Sequence, residues 1–143
     1  MIFLLDSNVI SELRKTRPHG AALAWLKATR PEEIGIPAIV LEELQAGAEI
    51  TRRQNPAKAA ELEFWIDEIE QGWQIVPLDA ATAREWARLM ERKSKMLFED
   101  AIIAATARVH GMVVVTRDLK HFVYFNVPLL NPFLTDPTVI GAE

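Results

Sequence analysis

Four acidic side chains, Asp6, Glu43, Asp100 and Asp118, fall where a chain most readily builds chemistry. Asp6 follows the apolar run IFLL, and Asp118 comes two residues after the valine-rich run MVVVT. Both runs read as buried strands, and in an open parallel sheet the functional crevice lies beyond the carboxyl ends of the strands. The two acids are therefore expected at one edge. Glu43 falls in the first turns of the helix after the second strand, and Gly47, one turn further along the same stripe, leaves that side of the carboxylate open. Asp100 begins a helix whose neighbouring face carries Ala101, Ala104, Ala105 and Ala107, small residues that allow close approach to the sheet.

Carboxylates gathered in this way raise one another's pKa and resist desolvation, and a hard divalent cation resolves the conflict. Oxygen-only ligation suits Mg²⁺ or Mn²⁺ rather than zinc. One or two such ions, about 4 Å apart if paired, would lower the pKa of a bound water and stabilise the oxygens of a phosphodiester during in-line displacement. On this reading Asp6 and Asp100 hold the main ion, while Glu43 and Asp118 complete the ring or position the water. Thr116 and Asn8 are placed to donate supporting hydrogen bonds. Any one acid after a strand, taken alone, reads better as a helix cap or a solvated charge, and Asp79 keeps that reading.

The elements that must position these groups alternate. Strands are expected at residues 2–5, 34–36, 73–77 and 112–116, with a weak one at 127–130. Helices are expected at 8–14, 19–28, 38–53, 55–72, 80–95, 99–110 and 119–122, with Asn55–Pro56 a start signal and Gly72 and Gly111 stop signals. Such alternation implies right-handed crossovers and a three-layer α/β/α fold on a central parallel sheet. One domain is expected over residues 1–133, and LTDPTVIGAE, 134–143, reads as a loose tail.

Composition narrows the function classes. A chain of 143 residues, half of them hydrophobic, can bury one ordinary core. With no cysteine, disulfides, thiolate zinc sites and cysteine nucleophiles are excluded. The opening MIFLL is too short for a signal peptide and no stretch approaches about 20 apolar residues, so a soluble, cytoplasmic protein is expected. A net charge of −4 and a pI near 5.4 argue against a broad positive field for nucleic acid, an objection that weakens if cations neutralise the acids.

The segments LLDSNVISEL (4–13), EELQAG (42–47), FEDAIIAATA (98–107) and VVVTRDLKHF (113–122) resemble the four acidic motifs of PIN domains. With the closing LLNPF (129–133), their order and spacing are most similar to the VapC toxins, particularly the FitB-like branch. The resemblance implies a Mg²⁺- or Mn²⁺-dependent endoribonuclease, usually a homodimer, held inactive by a small VapB-like antitoxin. Ser7 stands where the family more often has threonine, Asp118 where this branch often has asparagine, and His121 where relatives are often acidic. Glu42 and Glu99 adjoin two of the chosen acids. Helix geometry turns neighbours about 100° apart, so one of each pair is expected to point inward, and the resemblance selects Glu43 and Asp100.

Arg14, Lys15, Arg17, Arg117 and Lys120 are the basic residues expected near the mouth, as candidates for RNA phosphates. Arg84, Arg88, Arg92 and Lys95 read instead as a solvent face paired with Glu85 and Glu91. The four tryptophans are expected in core or dimer packing, and His19, His110 and His121 are too scattered to form a ligand set. A PIN nuclease of RNA maturation or DNA metabolism is the nearest alternative. A receiver-like signalling module ranks far lower, because Pro77 occupies the place of its phosphoacceptor and no lysine follows Lys120.

Overall fold

The computed structural model describes residues 1–141. Its strands are β1 (Phe3–Leu5), β2 (Ile34–Pro37), β3 (Gln74–Val76), β4 (Val113–Val115), β5 (Pro128–Leu130) and β6 (Ile140–Gly141). The helices are α1 (Ser7–Ile10), α2 (Gly20–Ala28), α3 (Ala38–Arg52), α4 (Pro56–Gly72), α5 (Ala80–Met90), α6 (Phe98–His110) and α7 (Leu119–Phe122). The sheet runs β3-β2-β1-β4-β5-β6; its first five strands are parallel and β6 is antiparallel to β5.

Strand order dictates where a site can form. The chain winds outward from β1 to β2 and β3, then returns to place β4 on the other side of β1. Right-handed crossovers therefore put α1 to α4 over one face and α5 and α6 over the other. Between β1 and β4 the connections leave in opposite directions, opening a crevice at the strands' carboxyl ends. The β1–β4 register pairs Leu5 with Val115, so Asp6 and Thr116 emerge side by side at that crevice.

Burial explains why the short strands hold. Leu4, Leu5, Ile34, Ile36, Val114 and Val115 are fully buried, as expected of strands covered on both faces. Gly35 is required by packing: a Cβ there would lie 2.8 Å from Val76 Cγ2 and 2.9 Å from Met1 Sδ. Trp25, Trp65, Trp73 and Trp86 pack, partly buried, against this core, and Trp25 meets Phe3 edge to face at 5.1 Å. Among the described residues no helix is long and apolar enough to cross a membrane.

Three segments depart from the expected elements. The helix expected over 8–14 is only one α-helical turn, Ser7–Ile10, followed by a 3₁₀ turn at Ser11–Arg14. The helix expected to reach 95 ends at Met90, and Arg92 takes the left-handed conformation at φ 63°. Residues 91–95 are polar and exposed, so no apolar stripe holds them to the core, and Ser94 instead caps a new 3₁₀ turn at Lys95–Leu97 through Met96 N. The stretch 134–143, read as a loose tail, is tied back to the sheet by the pairs Pro128–Gly141 and Leu129–Ile140. Residues 142 and 143 of that stretch lie outside the described residues.

Candidate active site

Asp6 is the anchor of the crevice. It caps the short helix α1 through Oδ1, which accepts from Ser7 N at 2.7 Å, and its Oδ2 accepts from Thr116 Oγ1 at 2.8 Å. With only 5% of its surface exposed, its pKa is raised mainly by burial and further by Asp118, although the bonds from Thr116 and Ser7 oppose that rise.

Asn8 ties the two strand-end acids together. Its Nδ2 faces three oxygens at 3.3 Å, Asp6 Oδ2, Thr116 Oγ1 and Asp118 Oδ2, and its Oδ1 accepts from Arg117 N at 3.2 Å. Thr116 Oγ1 also accepts from Asp118 N at 3.0 Å, fixing the turn that carries Asp118. The hydrogen-bonding roles expected of Asn8 and Thr116 are thus present as bonds.

Glu43 and Asp100 reach the crevice from α3 and α6. Ser7 Oγ donates to Glu43 Oε2 at 3.2 Å. Burial, then the charges of Glu99 and Asp6, push the Glu43 carboxyl up to about 7. Asp100 is pushed up to about 6 by burial and by Asp6, against the pull of His121. Its place in the first turn of α6 favours a negative charge, but burial and then the neighbouring acids outweigh that help.

Asp6, Glu43, Asp100 and Asp118 line one cleft of about 400 Å³, together with Ser7, Asn8, Lys95 and the rim residues Met96 and Phe98. Among the described residues no three acidic or histidine side chains are drawn together tightly enough to hold a metal ion as they stand.

Three residues of the cleft depart from expectation. Glu99 lines it together with its neighbour Asp100, so the rule that one of the pair faces inward fails, whereas Glu42 is exposed outside it. The cleft is wide enough to be bordered by both directions of the first turn of α6. Lys95, expected on a solvent face, is the cation of the lining, because the early end of α5 turns it there. His121 also lines the cleft, with Nδ1 3.3 Å from Asp100 Oδ2. Its place on the turn after Asp118 was the available signal. His19 and His110 lie elsewhere, at the N-terminus of α2 and beside Asp79.

The basic residues expected near the mouth are held by other groups or lie outside the lining. Arg14 sits over the Trp65 ring at 5.6 Å and Arg117 over Phe133 at 3.7 Å. Lys15 pairs with Glu12, an acid only 2% exposed whose Oε1 accepts from His19 N at 2.7 Å. Lys120 lines a neighbouring cavity with Tyr124. Arg17 is exposed. Arg88 pairs with Glu85 at 3.0 Å, as helical spacing predicts, and Arg92 with its neighbour Glu91 at 3.3 Å.

Comparison with known proteins places this crevice in a family context. A family model described as PIN domain matches residues 3–124. The VapC ribonuclease Y4jK of Sinorhizobium fredii is 34% identical over 143 residues, covering 92% of this chain and 98% of the relative. Toxin FitB of Neisseria gonorrhoeae is 30% identical over 138 residues, covering 92% and 99%. Among solved structures, a chain of FitAB bound to an IR36 DNA fragment superposes with a TM-score of 0.82 at 29% identity, covering 94% of this chain and 98% of that one. The protein belongs to the PIN-domain family, in its VapC-like group.

Proposed function

We propose that the protein is a divalent-cation-dependent endoribonuclease, the toxin of a toxin–antitoxin pair, and that Asp6, Glu43, Asp100 and Asp118 are its working acids. The observation that carries this reading is the arrival of four carboxylates, from β1, α3, α6 and the turn after β4, in one cleft at the β1–β4 crevice. Relatives named VapC ribonuclease and Toxin FitB support the same reading.

The donor chemistry fits Mg²⁺ or Mn²⁺. Mg²⁺ is commonly bound by one or two carboxylates, with waters and substrate phosphate oxygens completing the octahedron, so an open cleft suits it better than a closed cage. Asp6 and Asp100 would hold the ion, with Glu43 and Asp118 at its margin. When bound, such an ion supplies Lewis-acid stabilisation of phosphate oxygens and eases deprotonation of water.

The protein's own groups do the rest. Thr116, Ser7 N and Asn8 hold the Asp6 carboxylate in one orientation, so no reorganisation is needed as charge develops. Glu43, whose Oε2 accepts from Ser7 Oγ at 3.2 Å, is placed at the margin of such an ion to orient or deprotonate an attacking water. Lys95 brings a positive charge to a cleft that otherwise repels RNA.

FitAB and VapBC complexes among the structural relatives support a VapB-like antitoxin as partner, and a homodimer is proposed as the assembly. Brief expression in cells, followed by sequencing of RNA ends, tests the whole reading. New 5′ ends should accumulate with the native chain, disappear with Asp6→Asn and be suppressed by co-expression of a VapB-like antitoxin that binds it. Equal accumulation with Asp6→Asn contradicts it.

A further inference from the structure

His121 is the one imidazole among the residues lining the acidic cleft. It rides on α7, three positions after Asp118, so the turn that presents that carboxylate also presents the ring. Its side chain is 42% exposed, so the ring is open to solutes. The Nδ1 to Asp100 Oδ2 separation is 3.3 Å. A tight charge-assisted N–H···O contact is shorter, about 2.7–2.9 Å. Two donors in adjacent positions of one octahedral cation, each about 2.1 Å from it, stand about 3 Å apart, which is close to the observed span.

We propose that His121 Nδ1 and Asp100 Oδ2 bind one divalent cation between them, and that the imidazole tilts the cleft toward first-row transition-metal ions over Mg²⁺. This rests on the cation-dependent reading of the same cleft. Mg²⁺ is hard and gains little by exchanging water for a ring nitrogen, whereas nitrogen affinity rises from Mn²⁺ through Co²⁺ to Ni²⁺. The remaining donors of the cleft, Asp6, Asp118, Glu43 and Glu99, are oxygens and serve all these ions alike. A single nitrogen therefore sets the preference.

The test is cation binding to the full chain, with Mn²⁺ followed by electron paramagnetic resonance and Mg²⁺ and Co²⁺ by competition. The native protein, His121→Asn and Asp100→Asn are compared, with a thermal melt to verify that each is folded. Pulsed measurement of bound Mn²⁺ should show ¹⁴N modulation from a directly coordinated imidazole in the native protein and none in His121→Asn. That variant should lose about tenfold in Mn²⁺ affinity and more for Co²⁺, with Mg²⁺ changing by less than about twofold.

Two failures are distinguishable. Mn²⁺ that depends on Asp100 but shows no nitrogen modulation, or equal losses for all three ions in His121→Asn, overturns the role of His121 and leaves the cation site standing. No Mn²⁺ uptake by the native protein overturns both, and undiminished uptake by Asp100→Asn overturns the shared site of His121 and Asp100.

Discussion

Thr116 Oγ1 donates to Asp6 Oδ2 at 2.8 Å across the ends of two adjacent parallel strands, and this bond joins the first acidic motif to the last. The hydroxyl is fully buried and also accepts from Asp118 N, so one side chain orders both acids. Thr116→Val keeps the shape and removes the donor, leaving a buried carboxylate short of a partner. It should cost about 1–3 kcal/mol in denaturant unfolding and about tenfold or more in RNA cleavage. Thr116→Ser, which keeps the hydroxyl and loses one methyl, should cost about 1 kcal/mol and retain activity. Equal behaviour of the two variants would dismiss the hydrogen bond as the cause.

The pH dependence of stability follows from Glu43 and Asp100. Their carboxyls, ordinarily near 4.5 and 3.8, are raised to about 7 and about 6 in the folded protein. The folded state therefore holds more protons than the unfolded state between those values, and stability falls as pH rises through about 4 to 7. Thermal melts of cation-free protein should show this decline. It should shrink in Glu43→Gln and Asp100→Asn, and added Mg²⁺ or Mn²⁺ should restore stability at the upper end. Cleavage, measured with the cation present, should move the opposite way, rising with pH as the acids ionise, over a window shifted down by the bound charge.

Glu12 makes a separable prediction. It is buried in the first turn of the short 3₁₀ segment after α1, pairs with Lys15 and accepts from His19 N, so it closes the loop leading into α2. Glu12→Ala leaves that backbone N–H without its acceptor and should cost about 1–3 kcal/mol in unfolding free energy. Glu12→Gln, able to accept the same bond, should cost less. A melt unchanged by the alanine variant would show that the loop is held elsewhere.

Much of the site was legible because strand ends are. The buried runs ending at Leu5 and Val115 place Asp6 and Asp118 by topology alone, and the switch in strand order puts them together. Residues 91–95 misled because Glu, Arg and Lys favour a helix by local propensity, while burial, which decides where a helix survives, is not a local property. That misreading also hid Lys95. Three scattered histidines form no ligand set in the sequence, yet the partner of His121 is an aspartate 21 positions away. Only packing α6 against α7 reveals the pair.

Cleavage of a labelled RNA by purified protein, with Mg²⁺, with Mn²⁺ and after chelation, for the native chain beside Asp6→Asn, bears most directly on the central claim. Cutting should require the cation and be restored by adding it back, and a folded Asp6→Asn should lose it by about a hundredfold or more. Cutting that persists in chelator, or an Asp6→Asn variant as active as the native protein, would contradict the account.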